Sequence, residues 1–221
     1  SSMSIATMIL GESGTGKSTS LRNMNPDDTF LIQVVRKPLP FRTGKWAYLS
    51  KSGGNICVTD EWSKAIAYME KTTRKSIVLD DFQYLLANEF MRRSDEKGFE
   101  KFTEIGRHAW EVLNACSRLP DDVRVYILAH TQTDDFGHTK AKTIGKLLDE
   151  KITVEGLFSI VLRTHAQGGQ YHFSTRNSGS DTVKSPMGLF DADLIDNDLN
   201  AVDSAICDYY GIDKQPTLRA A

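Results

Sequence analysis

The chain is poor in cysteine. Its three, Cys57, Cys116 and Cys207, are far apart and odd in number. None forms a C-x-x-C pair, so the sequence predicts neither a zinc clip nor a disulfide framework. Each thiol is expected to be a small buried or half-buried residue in a reducing compartment. Long apolar runs are missing too: none approaches the ~20 residues of a membrane span, and no secretory leader is recognisable. Nor is there an excess of one charge. Lys and Arg number 27 against 29 Asp and Glu, a net charge of −2. A nucleic-acid surface would therefore have to be a local patch rather than a property of the whole protein. Internal repeats and low-complexity tracts are absent. These absences predict a cytoplasmic protein with no membrane partner. Ser1-Ser2 ahead of Met3 reads as a cloning remnant and is set aside with the start, residues 1–3. One domain is expected over residues 4–212, with a flexible polar tail at 213–221.

What is present is an ordinary globular composition, 40% hydrophobic and 25% charged in 221 residues, and one sharp motif. Gly11 to Ser18 reads GESGTGKS and fits the phosphate-loop pattern G-x-x-x-x-G-K-[ST]. An apolar run, Ile5 to Leu10, precedes it, and a helix is predicted over Ser18 to Met24. Gly11, Gly14 and Gly16 allow main-chain N–H groups to turn inward toward an anion. The predicted helix N-terminus adds partial positive charge. The candidate phosphate cradle is Gly11, Glu12, Ser13, Gly14, Thr15, Gly16, Lys17, Ser18 and Thr19. Lys17 would reach the β- and γ-phosphates of ATP, and the Ser18 hydroxyl would bind Mg²⁺.

Further along, strand and helix signals alternate. Phe30 to Val35 is an apolar strand candidate, ended by the prolines of Arg36-Lys37-Pro38-Leu39-Pro40. Trp46 to Leu49 and Asn55 to Val58 are short possible strands. A helix is predicted over Asp60 to Thr72 with Asp60 as N-cap. Ser76 to Asp81 (SIVLDD) is an apolar strand ending in two carboxylates, followed by helices over Phe82 to Met91 and Phe99 to Ser117. Val123 to Ala129 is a strong strand with His130-Thr131-Gln132 at its carboxyl end. A polar stretch follows, Thr133 to Leu147, and then a short helix over Asp149 to Glu155. Phe158 to Arg163 and Gln170 to Thr175 read as partner strands about Gly168-Gly169. A last helix fits Asp196 to Tyr210. This alternation predicts an α/β fold, a mainly parallel sheet flanked by helices. Ligands of such sheets bind beyond the carboxyl ends of the strands.

Three candidates fall at those ends. Asp80 lies 63 positions after Lys17 and is assigned to the metal. Asp81 is assigned to orienting or deprotonating an attacking water, with capping of the following helix as its alternative. Gln132, with Thr131 and His130, is the polar type that can face a γ-phosphate. The sequence leaves two strand orders open. If Ser76–Asp80 neighbours Ile5–Leu10, the arrangement is that of simple kinases and GTPases. If Val123–Ala129 lies between them, it is that of the ATPase branch.

Together these residues resemble the RecA-like P-loop ATPase core. More narrowly, the chain is similar to AAA-type phage nucleotide-binding proteins, regarded as core-only recombinases or single-strand annealing proteins. The resemblance rests on GESGTGKS, KPLPF at Lys37–Phe41, VLDDFQYL at Val78–Leu85 and ILAHTQ at Ile127–Gln132. It continues through KTIGKLLDEKITVEGLF at Lys142–Phe158 and FSTRNSGSDTVKSPMGLF at Phe173–Phe190. It implies a Mg²⁺-dependent ATPase that binds single-stranded DNA and acts in phage DNA recombination or annealing inside the bacterial host. It also implies self-association into a ring or filament, with ATP at subunit interfaces. A single-strand DNA-binding protein is a further expected partner. Basic residues from a neighbour would complete the site, and Arg176 and Lys184 are the candidates. The resemblance also predicts DNA contact by loops beside the site: Phe136, His138, Lys140 and Lys142 first, Arg92 and Arg93 second. One departure stands out. RecA proteins keep a catalytic glutamate after the second strand, where this chain reads Gln33-Val34-Val35-Arg36. A nucleotide-gated assembly protein with little turnover and a small-molecule kinase are the alternatives.

Overall fold

The computed structural model describes residues 3–144 and 153–214. Ser1-Ser2, most of the helix expected over 149–155, and the tail from 215 lie outside those residues. Strands β1 (Ile5–Gly11), β2 (Thr29–Gln33), β3 (Ile56–Val58), β4 (Ser76–Asp80), β5 (Arg124–Thr133), β7 (Ile160–Gln167), β8 (Gln170–Ser174) and β9 (Leu194–Asp196) form one sheet. Their order is β3-β2-β4-β5-β1-β7-β8-β9, and β6 (Thr139–Ala141) pairs with the outer part of β5. From β3 to β7 the pairing is parallel; β7-β8 and β8-β9 are antiparallel. This is the mainly parallel α/β sheet expected from the alternation. β5 lies between β1 and β4, which settles the open strand order in favour of the ATPase branch.

Period-two alternation sends successive residues of these strands to opposite faces. Met8 and Leu10 face one core; Ile9 faces the other. On the first face lie α1 (Trp62–Lys71), α2 (Gln83–Arg92) and α3 (Glu100–Ala115). Helix α3 presents Ile105, Ala109, Val112 and Leu113 at helical spacing, all 4% exposed or less. Each fully buried Leu or Val contributes about 1.5–3 kcal/mol. On the second face lie α4 (Leu199–Tyr210) and the long connection from β2 to β3, anchored by Trp46. Helix α4 starts where the Asp198 carboxylate accepts N–H bonds from Asn200 and Ala201, an N-cap worth about 1 kcal/mol. The three cysteines are free and buried.

Several local expectations are corrected. The helix over Ser18 to Met24 is a single 3₁₀ turn, Ser18–Leu21. Its hydroxyl-rich sequence competes with helical bonding: the Ser20 hydroxyl donates to the Lys17 carbonyl at 2.6 Å. Asp60 does not cap α1. Its carboxylate accepts from Asn88 and Arg92 instead. The strand expected to end at Ala129 runs on through His130-Thr131-Gln132 into a hairpin with β6. Asp134 accepts the N–H groups of Phe136 and His138 and closes that turn. Strand β9 had no sequence signal. Lys214, expected in the polar tail, is ion-paired to Asp203 at 2.9 Å. Among the described residues no helix is long and apolar enough to cross a membrane.

Candidate functional site

The loop after β1 is held open by its neighbours. A Cβ on Gly11 would sit 1.9 Å from the Thr164 hydroxyl of β7. Gly16 has φ +97°, and a Cβ there would also meet the Asn197 amide at 2.9 Å and the Tyr171 ring at 3.0 Å. No other residue fits either place without displacing its supports. Thr15 turns away from the cleft and shares a 2.6 Å hydrogen bond with Thr164. Lys17, only 7% exposed, donates to the carbonyls of Gly11 and Glu12, both at 2.8 Å. Burial lowers its pKa to about 8, against the pull of Asp80 and Asp81. Its ammonium is thus desolvated and rests on neutral carbonyls, a poor match that an anion would improve.

The carboxylates close the other side. Asp80, 3% exposed, ends β4, and its Oδ2 accepts from the Ser18 hydroxyl at 2.9 Å. Its Oδ1 is buried with no hydrogen-bond partner. Burial, then the neighbouring Asp81 charge, pushes Asp80 up to about 6. Asp81 has φ +62°, a conformation that costs a non-glycine residue of order 1 kcal/mol or more and that clusters at functional sites. The turn is held in place: the Phe82 N–H donates to Leu128 of β5, and the Gln83 amide oxygen accepts the His130 N–H. Asp81 does not cap α2; no side-chain cap bond is made there.

Two groups meet Asp81. The Lys37 ammonium lies 2.5 Å from its Oδ2, and the His130 ring nitrogen lies 3.7 Å from its Oδ1. Burial alone would lower the Lys37 pKa, but the hydrogen bond to Asp81 and the nearby Asp80 charge raise it. Burial, with Lys17 nearby, lowers that of His130. The cleft enclosed by these groups is lined by Ser13, Gly14, Lys17, Asp80, Lys37 and His130, with Gln33 and Pro38 to Pro40 on the β2 side.

The donor set fits a hard divalent cation shared with phosphate. The Ser18 hydroxyl and the Asp80 carboxylate, with one oxygen left unpartnered, lie together in the cleft lining, and Mg²⁺ takes one or two protein oxygens plus phosphates and water. Among the described residues there is no cluster of three His, Cys, Asp or Glu that would form a self-sufficient metal cage.

Other candidates lie elsewhere. Gln132 is two residues beyond His130, in the hairpin opposite Lys140; strand geometry carries it about 6–7 Å outward. His130 is the member of its triplet that lines the cleft. Arg176 is exposed and paired with Asp193 at 3.0 Å. Lys184 bridges Val161, which is level with Met8 in the middle of β1. Neither Arg176 nor Lys184 lines the cleft of its own chain. Phe136, 86% exposed, and His138 sit at the hairpin turn, Lys140 lies on β6, and Lys142 follows it, its N–H donating to His130. Arg92 pairs with Asp60, and Arg93 with Glu89, Glu96 and Glu104. Three carboxylates take four of the five N–H donors of the Arg93 guanidinium and leave one for any other anion.

Sequence reasoning passed over Lys37 and Gln33 as site residues. The available signal was a basic residue four positions past a strand end, followed by prolines that fix the backbone over the cleft. The family model for the AAA domain matches residues 3–186. No curated protein matches the chain significantly.

Proposed function

The chain belongs to the AAA-domain family of P-loop ATPases, and on that premise we propose that it is a Mg²⁺-dependent ATPase acting on single-stranded DNA in phage recombination or annealing. One observation carries the ATPase part: Lys17, Ser18, Asp80, Asp81 and His130 come from three adjacent strands, β1, β4 and β5, and converge on one cleft. The loop N–H groups and Lys17 bind the β- and γ-phosphates, Lys17 exchanging two carbonyls for anionic oxygens. Ser18 and Asp80 would hold Mg²⁺, which would supply neutralisation of phosphate charge. Asp81 orients the attacking water and takes its proton. His130, level with the loop, senses the terminal phosphate, in place of the Gln132 expected from sequence.

The DNA part is supported by the resemblance of the motifs and by exposed Phe136 and Lys142, with half-buried Lys140, on the hairpin beyond His130. Arg176 and Lys184, which lie outside the cleft of their own chain, are the candidates for completing a neighbour's cleft in a ring or filament. A second reading, nucleotide-gated assembly with little turnover, has its own observation. Gln33 occupies the cleft wall where RecA proteins carry an acid, its amide tied to Tyr48 and the Lys37 carbonyl. Phosphate release from ATP, with and without single-stranded DNA, decides between them. Stimulation by DNA is expected. Oligomers on ATP without turnover would favour the second reading, and transfer to a metabolite would overturn both.

A further inference from the structure

Charge is unevenly distributed along this chain. Between Thr29 and Thr59 there are five of the 27 basic residues and none of the 29 acidic ones. That segment carries +5 while the remainder of the chain carries −7. The five are Arg36, Lys37, Arg42, Lys45 and Lys51, all on the connection from β2 to β3. Lys37 is engaged by Asp81. The other four are exposed, and among the described residues none makes an ion pair with a carboxylate. The contrast with Arg92 and Arg93 is direct, since Arg92 is paired with Asp60, and Arg93 with Glu89, Glu96 and Glu104.

A run of exposed cations is most often a solvated face. Here the backbone that displays them is fixed. Trp46 is 7% exposed, and the Phe41 ring packs edge-on against it at 5.6 Å. The buried Asn55 side chain accepts from the Ala47 N–H and donates to the Thr29 carbonyl. Ser50 and Gly53 exchange backbone bonds in a tight turn that carries Lys51. The Arg36 guanidinium stacks on the Tyr48 ring, 4.2 Å from its centroid, and this flat cationic surface suits a nucleobase better than a lipid headgroup or an acidic side chain. The Tyr48 hydroxyl donates to Gln33 at 2.9 Å, in the cleft wall.

We propose that this β2–β3 connection is a binding surface for the phosphodiester backbone of single-stranded nucleic acid, with Arg42, Lys45 and Lys51 on phosphates and Arg36-Tyr48 under a base. The inference rests on the functional reading above for the class of polymer, and it moves the principal contact away from the β5-β6 hairpin. Because the cations are pre-positioned, little ordering entropy opposes binding.

The test is fluorescence polarisation of labelled oligothymidylate across a salt series. The proteins are the wild-type chain, a quadruple variant Arg36→Gln/Arg42→Gln/Lys45→Gln/Lys51→Gln, and a hairpin variant Lys140→Gln/Lys142→Gln. The quadruple variant should lose affinity by at least about tenfold, and its log–log salt slope should fall by about 3. The hairpin variant should lose several-fold less affinity than the quadruple variant. Arg42→Gln/Lys45→Gln, which leaves the Tyr48 stack intact, should lose about half that slope and guards against misfolding. A quadruple variant binding within twofold of wild type overturns the proposal, as does a wild type that ignores oligothymidylate. Equal binding of a polyglutamate or of anionic vesicles through the same four residues overturns the nucleic-acid assignment. ATP binding by Lys17→Ala, measured in parallel, reports on the nucleotide reading separately. If that variant binds ATP normally, the site reading fails whatever the DNA result.

Discussion

At the amino end of β5, Arg124 is 2% exposed and meets Asp203 of α4, which is fully buried. At the carboxyl end of β4, the adjacent strand, Asp80 is 3% exposed and has one oxygen with no partner. The two ends treat buried charge in opposite ways. Asp203 accepts from the Arg124 guanidinium at 2.8 and 2.9 Å, from the Tyr126 hydroxyl and from Ser76, and Lys214 pairs with it. Burial alone would raise its pKa; Arg124 overrides that and holds the carboxyl below the usual range. The network is fully satisfied and pins α4 to the sheet. Asp80 keeps a raised pKa because its surroundings are incomplete. A satisfied buried charge is structure; an unsatisfied one, beside a lysine resting on neutral carbonyls, marks a candidate binding site.

The sharpest way to break this contrast is at the satisfied end. Asp203→Ala leaves Arg124 buried without its partner, and urea unfolding should show a loss of about 3–5 kcal/mol. A loss under about 1 kcal/mol would mean that the network is ornamental. At the other end, Lys17→Ala should lower ATP affinity about a hundredfold, near 2.7 kcal/mol by titration calorimetry, with the melting temperature unchanged. Next comes Asp80→Asn. The Asp80 pKa of about 6 in the fold lies above its ordinary 3.8, so the carboxyl favours folding below the ordinary value and loses that contribution as pH rises through 6. At pH 7 the wild type carries the whole cost. The nucleotide-free Asn variant should therefore be more stable by about 3 kcal/mol at pH 7 and equal to wild type near pH 3.5. Unfolding curves at both pH values check the sign, and a variant less stable at pH 7 would reverse the argument. The smallest effect is expected from Lys37→Met, which frees Asp81 and removes one cation from the cleft. ATP affinity should fall about tenfold with ADP affinity nearly unchanged, while equal losses for both nucleotides would place Lys37 away from the terminal phosphate.

Much of this was legible in the residues. The glycines of the loop stand where φ is positive or where a Cβ would strike Thr164, Asn197 or Tyr171, and their spacing could be recognised without knowing those neighbours. SIVLDD gave away a buried strand with acids at its end, because a parallel strand covered on both faces must be apolar throughout. The length of the turn after Ser18 was not legible, since hydroxyl competition and the Asn197 contact to Arg22 act against helical propensity. Nor was the fate of Arg93, whose three carboxylates come from two helices and the loop between them.

The sequence by itself determined the α/β alternation, the phosphate loop, the paired acids and the location of an acid-free basic stretch. All of these are local properties: periodicity of burial, glycine spacing, composition within a window. The tertiary structure alone decided the strand order that inserts β5 between β1 and β4, the presence of His130 rather than Gln132 in the cleft lining, and the pairing of Lys37 with Asp81. Each depends on which distant segments the sheet brings side by side. That outcome is set by the packing of two cores and the satisfaction of buried charge, and no single stretch of the chain encodes it.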